Sequence, residues 1–372
     1  MRLLYFATMS RIALLVFFFT ASFVFSQEKN SKNFFVDANC FYGTILRHNK
    51  DISHLVKAHP DGFIVGFNRK TYGTERWHQE YNYPDWGFSF VHQNAHYEVL
   101  GDNYGLYGHF NFYFLKRNLF FRIGQGIAYN TNPFDLETNF KNNAYGSQFL
   151  SSTYLMLNYN KQNLFKNFGI QAGIALVHYS NGNFKAPNSS TNAFTINVGV
   201  QYSVSNETSE YIFDSLPKKI SEPIKYNFVL RGGLNESDYL NLGQHPFFVV
   251  SAFADKRLSY KSTLQLGADF FYLPFLKKEI EYLSIAFPSA GVEGDEDFKR
   301  VGVFAGHELR INDLAVVTQV GYYVYYPYDF EGRTYFRAGL KYYATDKLFG
   351  VITLKSHGAK VEGVEFGVGI RI

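Results

Sequence analysis

The chain of 372 residues has a single cysteine, Cys40, so no internal disulfide can support its fold. Past Ser26 it has no apolar run approaching the ~18 residues that a membrane-spanning helix requires. Charge of one sign is also lacking: the net charge of +4 is spread along the chain and supports no nucleic-acid reading. No stretch reads as an interdomain linker, and no segment repeats. What is present in excess is aromatic. Phe occurs 40 times and Tyr 29 times, and aromatics make up 19% of the residues. Membrane β-barrels have a place for such an excess, because they set Tyr and Phe in girdles at both interfaces and carry their hydrophobicity in every second residue.

The N-terminus stands apart. Arg2 and Arg11 precede an apolar run from Ile12 to Phe25, and Val24 and Ser26 fit the −3 and −1 positions of a cleavage site. This pattern predicts a signal peptide over residues 1–26, a mature start near Gln27, and export.

Beyond it, many segments alternate with a period of two, the signature of strands with a different solvent on each face. Tyr104, Leu106, Phe110, Phe112 and Phe114 face one way, against Tyr107, His109, Asn111 and Tyr113. At the end of the chain Val364, Phe366, Val368, Ile370 and Ile372 alternate with Gly363, Glu365, Gly367, Gly369 and Arg371. Strands are predicted near 34–46, 61–71, 84–97, 103–115, 118–129, 146–159, 167–180, 192–205, 223–235, 245–257, 261–274, 299–311, 314–327, 333–345, 348–357 and 361–372. Long and short connections tend to alternate, with exceptions at 72–83 and 206–222, as expected when extracellular loops are long and periplasmic turns short. A soluble sandwich or lipocalin-like barrel would show one apolar interior and a polar outside. Here the inward set is instead rich in Gly, Asn, Gln and Tyr. The expectation is an all-β fold: a transmembrane up-and-down antiparallel β-barrel of about sixteen strands, with residues 27–372 forming a single outer-membrane barrel. The first two strands are the least marked, and without them the count is fourteen.

Chemistry concentrates in one hairpin. Phe168, Ile170, Ala172, Ile174 and Leu176 are apolar at even positions, and His178 and Ser180 continue that even set where the apolar face meets water. An imidazole and a hydroxyl at i and i+2 lie roughly 6–7 Å apart along a strand. His has the pKa range to take a proton from Ser at neutral pH. On the next strand Phe194, Ile196, Val198, Val200 and Tyr202 form the apolar set, which Asn192 joins. A symmetric hairpin about 181–191 sets Ser180 opposite Asn192 and His178 opposite Phe194. Three polar side chains then share a lipid-facing surface, where polar groups are expensive and usually functional.

These residues resemble the outer-membrane lipid A 3-O-deacylases, also known as acyloxyacyl hydrolases. Family members carry His-x-Ser-Asn at the extracellular end of one strand, then Asn in the loop and an acidic residue where the next strand starts. His178, Ser180 and Asn181 match, as does Asn188 within Lys185-Ala186-Pro187-Asn188. The match covers about residues 167–205, and the surrounding chain is similar to a larger, flavobacterial-type branch. The resemblance implies an enzyme of the Gram-negative cell outer membrane that acts on lipid A of outer-leaflet lipopolysaccharide. It would be a serine esterase that uses no cofactor or metal. His178 is then the base, Ser180 the nucleophile, and Asn188 with Asn181 the support for the oxyanion. One position departs: Asn192 stands where the family has a glutamate. Asp135 or Glu137, on the 130–145 loop, are the carboxylates that could substitute. Two other readings stand beside this one, a pore built from sixteen strands and a catalytically inactive relative, which Asn192 would explain.

Other signals are weaker. Glu293, Asp295, Glu296 and Asp297 form an acidic run without calcium-loop spacing. His48, His54 and His59 share the first loop without zinc-type spacing. Leu276, Ile280 and Leu283 are at helical spacing within 275–287, consistent with a short interfacial helix or loop cap.

Overall fold

The computed structural model describes residues 33–204, 210–214, 220, 222–239, 241–358 and 360–372. The signal peptide expected over residues 1–26 lies outside them. Sixteen antiparallel strands follow in order: β1 (Phe34–Ile45), β2 (Asp61–Arg69), β3 (Asp85–Asn94), β4 (Asp102–Phe114), β5 (Leu119–Asn130), β6 (Phe149–Phe165), β7 (Phe168–Ser180), β8 (Thr191–Ser203), β9 (Lys225–Glu236), β10 (Gln244–Arg257), β11 (Ser262–Tyr272), β12 (Arg300–Ile311), β13 (Leu314–Tyr325), β14 (Thr334–Tyr343), β15 (Leu348–His357) and β16 (Lys360–Arg371). All sixteen expected strands are present, including the first two.

Their closure differs from expectation. β1 pairs with β8 over Phe35 to Ile45, and β9 pairs with β16 over Asn227 to Gly232, so the strands make two closed eight-stranded barrels. The single barrel is thereby corrected. The alternation of side chains is the same in either closure, because each strand has one outward and one inward face whichever neighbour completes the ring. The long connection at 206–222, an exception to the turn pattern, joins the two barrels and is the linker that composition did not reveal. A pore of sixteen strands is not what these strands build. Eight strands leave an interior just wide enough for side chains to fill.

Side chains do fill it. In the first barrel Arg122 bonds Asp37 at 2.6 Å and Asn111 at 2.6 Å, and His109 meets Asn68 at 2.8 Å, all buried in the lumen. In the second, Arg337 lies between Asp269 at 2.9 Å and Glu365 at 2.6 Å, and Lys341 pairs with Glu308 at 2.7 Å. The inward glycines make room for this packing. A Cβ on Gly124 would lie 2.1 Å from the Tyr154 ring, and one on Gly321 would lie 2.1 Å from the Tyr335 ring. What resembled a hydrated lumen is a packed one.

Outside, the apolar set is exposed: Leu106, Ile127 and Val198 on the first barrel and Leu266 and Val368 on the second each leave about two thirds of their surface uncovered. A contiguous apolar belt of this extent marks a membrane-facing surface. Among the described residues no helix is long and apolar enough to cross a membrane. A short helix α1 (Arg76–Glu80) lies at one end of the first barrel, and α2 (Pro274–Ala286) follows β11. The helical spacing read at 275–287 is real: Phe275, Leu276, Ile280 and Leu283 of α2 are buried with Tyr326, Tyr328 and Phe330 in the second barrel's core. The barrels touch near α1, where the Tyr81 hydroxyl donates to the Arg310 carbonyl at 2.7 Å and Arg76 stacks on the Tyr260 ring at 4.4 Å.

Candidate active site

β7 and β8 meet the loop 181–190 at the end of the first barrel opposite α1. Their register sets His178 opposite Asn192 and Leu176 opposite Phe194, two residues from the symmetric hairpin expected. The loop explains the shift. The backbone N–H groups of Ser189 and Ser190 donate to the carbonyls of Asn143 and Ala144, at 3.0 and 3.1 Å, so those residues leave the β7 ladder and β8 begins at Thr191. Ser180 is left beyond the last β7–β8 pair, Tyr179 with Thr191.

His178 Nδ1 lies 2.8 Å from Asn192 Oδ1. On its other side the Asn192 amide N–H donates to His48 Nδ1 at 3.2 Å, and His48 Nε2–H is directed to the Ser189 carbonyl at 3.3 Å. This donor pattern turns the Asn192 carbonyl toward His178, so Nδ1 of His178 carries the proton and Nε2 is left as the basic nitrogen. Ser180 is two residues along on the same outward face, but its hydroxyl is engaged elsewhere. It donates to Asn188 Oδ1 at 3.0 Å and accepts the Gly182 N–H at 3.0 Å. The same Asn188 oxygen accepts the Asn181 N–H at 2.9 Å, and the Asn181 amide donates to the Lys185 carbonyl at 2.5 Å. Ser180 and Asn181 are each only 4% exposed, while His178, Asn188 and Asn192 are half-buried.

The structure therefore places His178 with Asn192, and Ser180 with Asn181 and Asn188, as two bonded groups that adjoin along β7. It does not bring Asp135 or Glu137 to either. The Asp135 carboxylate accepts the backbone N–H groups of Glu137 and Thr138 and the Thr138 hydroxyl, and the Thr138 and Glu137 N–H groups hold its carboxyl below the usual range. The first-loop histidines separate: His54 bonds the Lys141 carbonyl at 2.7 Å and His59 the Gly43 carbonyl at 2.9 Å. In the acidic run, Glu296 caps the N–H groups of Glu293 and Gly294, and Asp297 takes Lys299 and Tyr325.

Residues 61–201 match the family model described as Lipid A 3-O-deacylase (PagL), and residues 224–372 match the one described as Acyloxyacyl hydrolase, C-terminal domain. The chain belongs to the lipid A 3-O-deacylase family. The two matches divide this deacylase-family chain as its barrels do. A search of curated proteins finds no match. Among solved structures, a de novo designed transmembrane β-barrel aligns at 13% identity over 43% of this chain and 100% of its own, with a TM-score of 0.24. A mutant porin of Rhodopseudomonas blastica aligns at 9% identity over 91% of this chain and 99% of its own, with a TM-score of 0.18. Scores at this level fix neither fold nor activity.

Two groups of neighbours in this deacylase-family cluster were not legible in sequence. His48 was noticed only among the first-loop histidines. It reaches Asn192 because β1 pairs with β8, which puts the Leu46 N–H on the Asn192 carbonyl at 2.7 Å. In a single sixteen-stranded ring β8 would have adjoined β9 instead. The second group lies across the ladder on β6 and β5. Ser151 is opposite Ser180 and Thr153 opposite His178, and Thr153 donates to Gln125 at 2.5 Å. Nothing in the sequence singled these residues out, and only the register shows that they adjoin His178 and Ser180.

Proposed function

We propose that this protein is an outer-membrane ester hydrolase that removes a 3-O-linked hydroxyacyl chain from lipid A by a Ser/His mechanism. The observation that carries the proposal is the His178–Asn192 bond, which leaves Nε2 of His178 free as a base on the strand that carries Ser180 two residues on, in the barrel that matches the deacylase model. Substrate binding frees the Ser180 hydroxyl from Asn188 by a rotamer change, and His178 Nε2 takes its proton as Oγ attacks the ester carbonyl. The oxyanion is held by N–H groups of the 181–188 loop, among them that of Gly182 and the Asn188 amide after it turns. Collapse breaks the ester bond, and the sugar hydroxyl leaves with the proton from His178. Water, activated by the same imidazole, then releases the fatty acid and restores Ser180. The acyl chain lies in the bilayer along Ile174, Leu176, Phe194 and Ile196, while Gln125, Ser151 and Thr153 offer hydrogen bonds to the polar part of the lipid. Asn192 orients the imidazole but cannot balance its charge. In serine proteases an Asp-to-Asn change in that role costs ~10⁴ in turnover, so slow turnover is expected.

The test is mass spectrometry of lipid A from cells expressing the wild type or Ser180→Ala, with barrel assembly checked by heat-modifiable gel mobility. Loss of one hydroxyacyl mass with the wild type alone supports the proposal. Spectra identical to the empty vector, with both proteins assembled, would sink it in favour of an inactive relative, the reading that Asn192 keeps open.

A further inference from the structure

We propose that the second barrel is the clamp that holds the 181–188 loop over Ser180, with Glu236 as the positioning residue; this rests on the Ser/His reading above. Glu236 is the last residue of β9 and is buried. Its carboxylate accepts the Ala186 N–H at 3.0 Å, its own N–H donates to the Asn183 carbonyl at 3.4 Å, and its carbonyl accepts the Asn183 amide at 3.1 Å. The Asn183 amide also reaches the Glu362 carbonyl at 3.5 Å, and Gln244 donates to the Phe184 carbonyl at 2.6 Å. Gly182 lies flat against β16. It has a φ of 66° and a Cβ there would sit 2.4 Å from Val364 Cγ2, so both backbone and space require glycine.

The loop thus has two sides with different work. Asn183, Phe184 and Ala186 are bonded to the second barrel and Gly182 packs against it, while Ser180, Asn181 and Asn188 bond one another on the side of the chemistry. Only Pro187 separates the clamped Ala186 from Asn188. Ala186 and Asn183 are both buried. With the second barrel in place but the Glu236 carboxylate removed, the Ala186 N–H would be a buried donor lacking its acceptor, which a loop relieves by swinging out to water. That motion would carry Asn188 away from Ser180. The first barrel contributes its own chemistry, and the second fixes the geometry in which that chemistry works.

The experiment uses the full-length protein in lipid nanodiscs, with Glu236→Ala, Glu236→Gln and Gln244→Ala, after heat-modifiable mobility shows that each has assembled. Limited trypsin cleavage after Lys185, which is exposed in the loop, reports docking without reference to activity; initial rates on lipid A report kcat and KM. Loss of the Glu236 acceptor is expected to speed cleavage and lower kcat, each by about tenfold, with KM within about twofold. Glu236→Gln keeps an acceptor oxygen and should restore both values. Gln244→Ala, at an exposed residue, should speed cleavage by a smaller factor and keeps the test open if Glu236→Ala does not assemble. Cleavage no faster than wild type in either variant overturns the clamp, and so does faster cleavage with kcat unchanged. If the wild type hydrolyses no lipid A ester while the cleavage pattern is as expected, the docking stands and it is the Ser/His reading that fails.

Discussion

The two barrels have the same number of strands and the same outward belt, yet they place their polar side chains differently. Within the first lumen the packing is mostly amide and hydroxyl, with Asn39, Asn68, Asn111, Asn158, Gln171 and Asn197 buried around the Arg122–Asp37 pair. In the second it is mostly charge: Arg337 with Asp269 and Glu365, Lys341 with Glu308, Lys355 with Glu362, and Arg371 with Asp255. A buried charge is tolerable only when paired, and removing one partner costs far more than the pair contributes. The second barrel is therefore cross-braced and closed on itself, with α2 packed into its core. The first carries its unusual polar groups on the outward face, at the rim where β7 and β8 end. On the proposed function, the difference separates chemistry from support.

The histidines make the largest contrast. His178→Ala should abolish deacylation, by at least about 10³-fold, and leave assembly intact, because the half-buried ring works on the rim. His357→Ala, in the second lumen beside Tyr323 and 3.5 Å from Glu362, should instead lower the temperature of the gel-mobility transition and leave the rate of the assembled protein unchanged. An equal loss of rate in both would erase the contrast.

Next is Arg337→Met, which strands Asp269 and Glu365 in the interior. It should cost about 3–5 kcal/mol, read as a reduced urea midpoint of refolding into vesicles, and exceed the cost of Arg122→Met, where one carboxylate is stranded. The reverse order would show that the charged lumen is not the stronger brace.

Asn192→Asp keeps the shape of the His178 partner and restores the missing charge. It should raise kcat by about tenfold with little change in assembly, a partial recovery of the charge effect. No increase would mean that orientation alone limits this site.

The smallest effect is expected at the mouth of the second barrel. Burial pushes the Glu279 carboxyl above its ordinary range, while Ser237 and Tyr328 donate to it and Lys360 and Asp238 act from nearby. A raised carboxyl pKa means that the folded state binds the proton more tightly than the unfolded chain. Docking of α2 is then firmest below the usual glutamate range and weakens as pH rises through the shifted value. Hydrogen-exchange protection of α2 amides should fall over that window in the wild type and stay level in Glu279→Gln.

Much of the site was legible because its residues obey the same alternation as the strands that carry them. His178, Ser180 and Asn192 continue the outward set at the edge of an apolar face; His178 pairs with Asn192 across the ladder, and Ser180 follows two residues on, bonded to Asn188. The diagonal register failed because Ser189 and Ser190 bond Asn143 and Ala144, from an earlier loop, in place of their hairpin partner. Asp135 failed as a substitute acid because its Oδ1 is bound to Glu137 and Thr138 of its own loop, away from His178.

The sequence by itself determined the strands, all but the first two plainly, with their two faces, and it showed helical spacing within 275–287, since these follow from local periodicity. It could not determine closure. Backbone N–H and C=O groups are the same on every strand, so nothing local tells β8 to pair with β1 and not β9. That choice is made by long-range contacts, above all by whether inward side chains such as Arg122 with Asp37, and Arg337 with Asp269 and Glu365, meet their partners across an eight-stranded lumen. Closure then placed His48 beside Asn192 and the second barrel's Glu236 beneath the loop that covers Ser180.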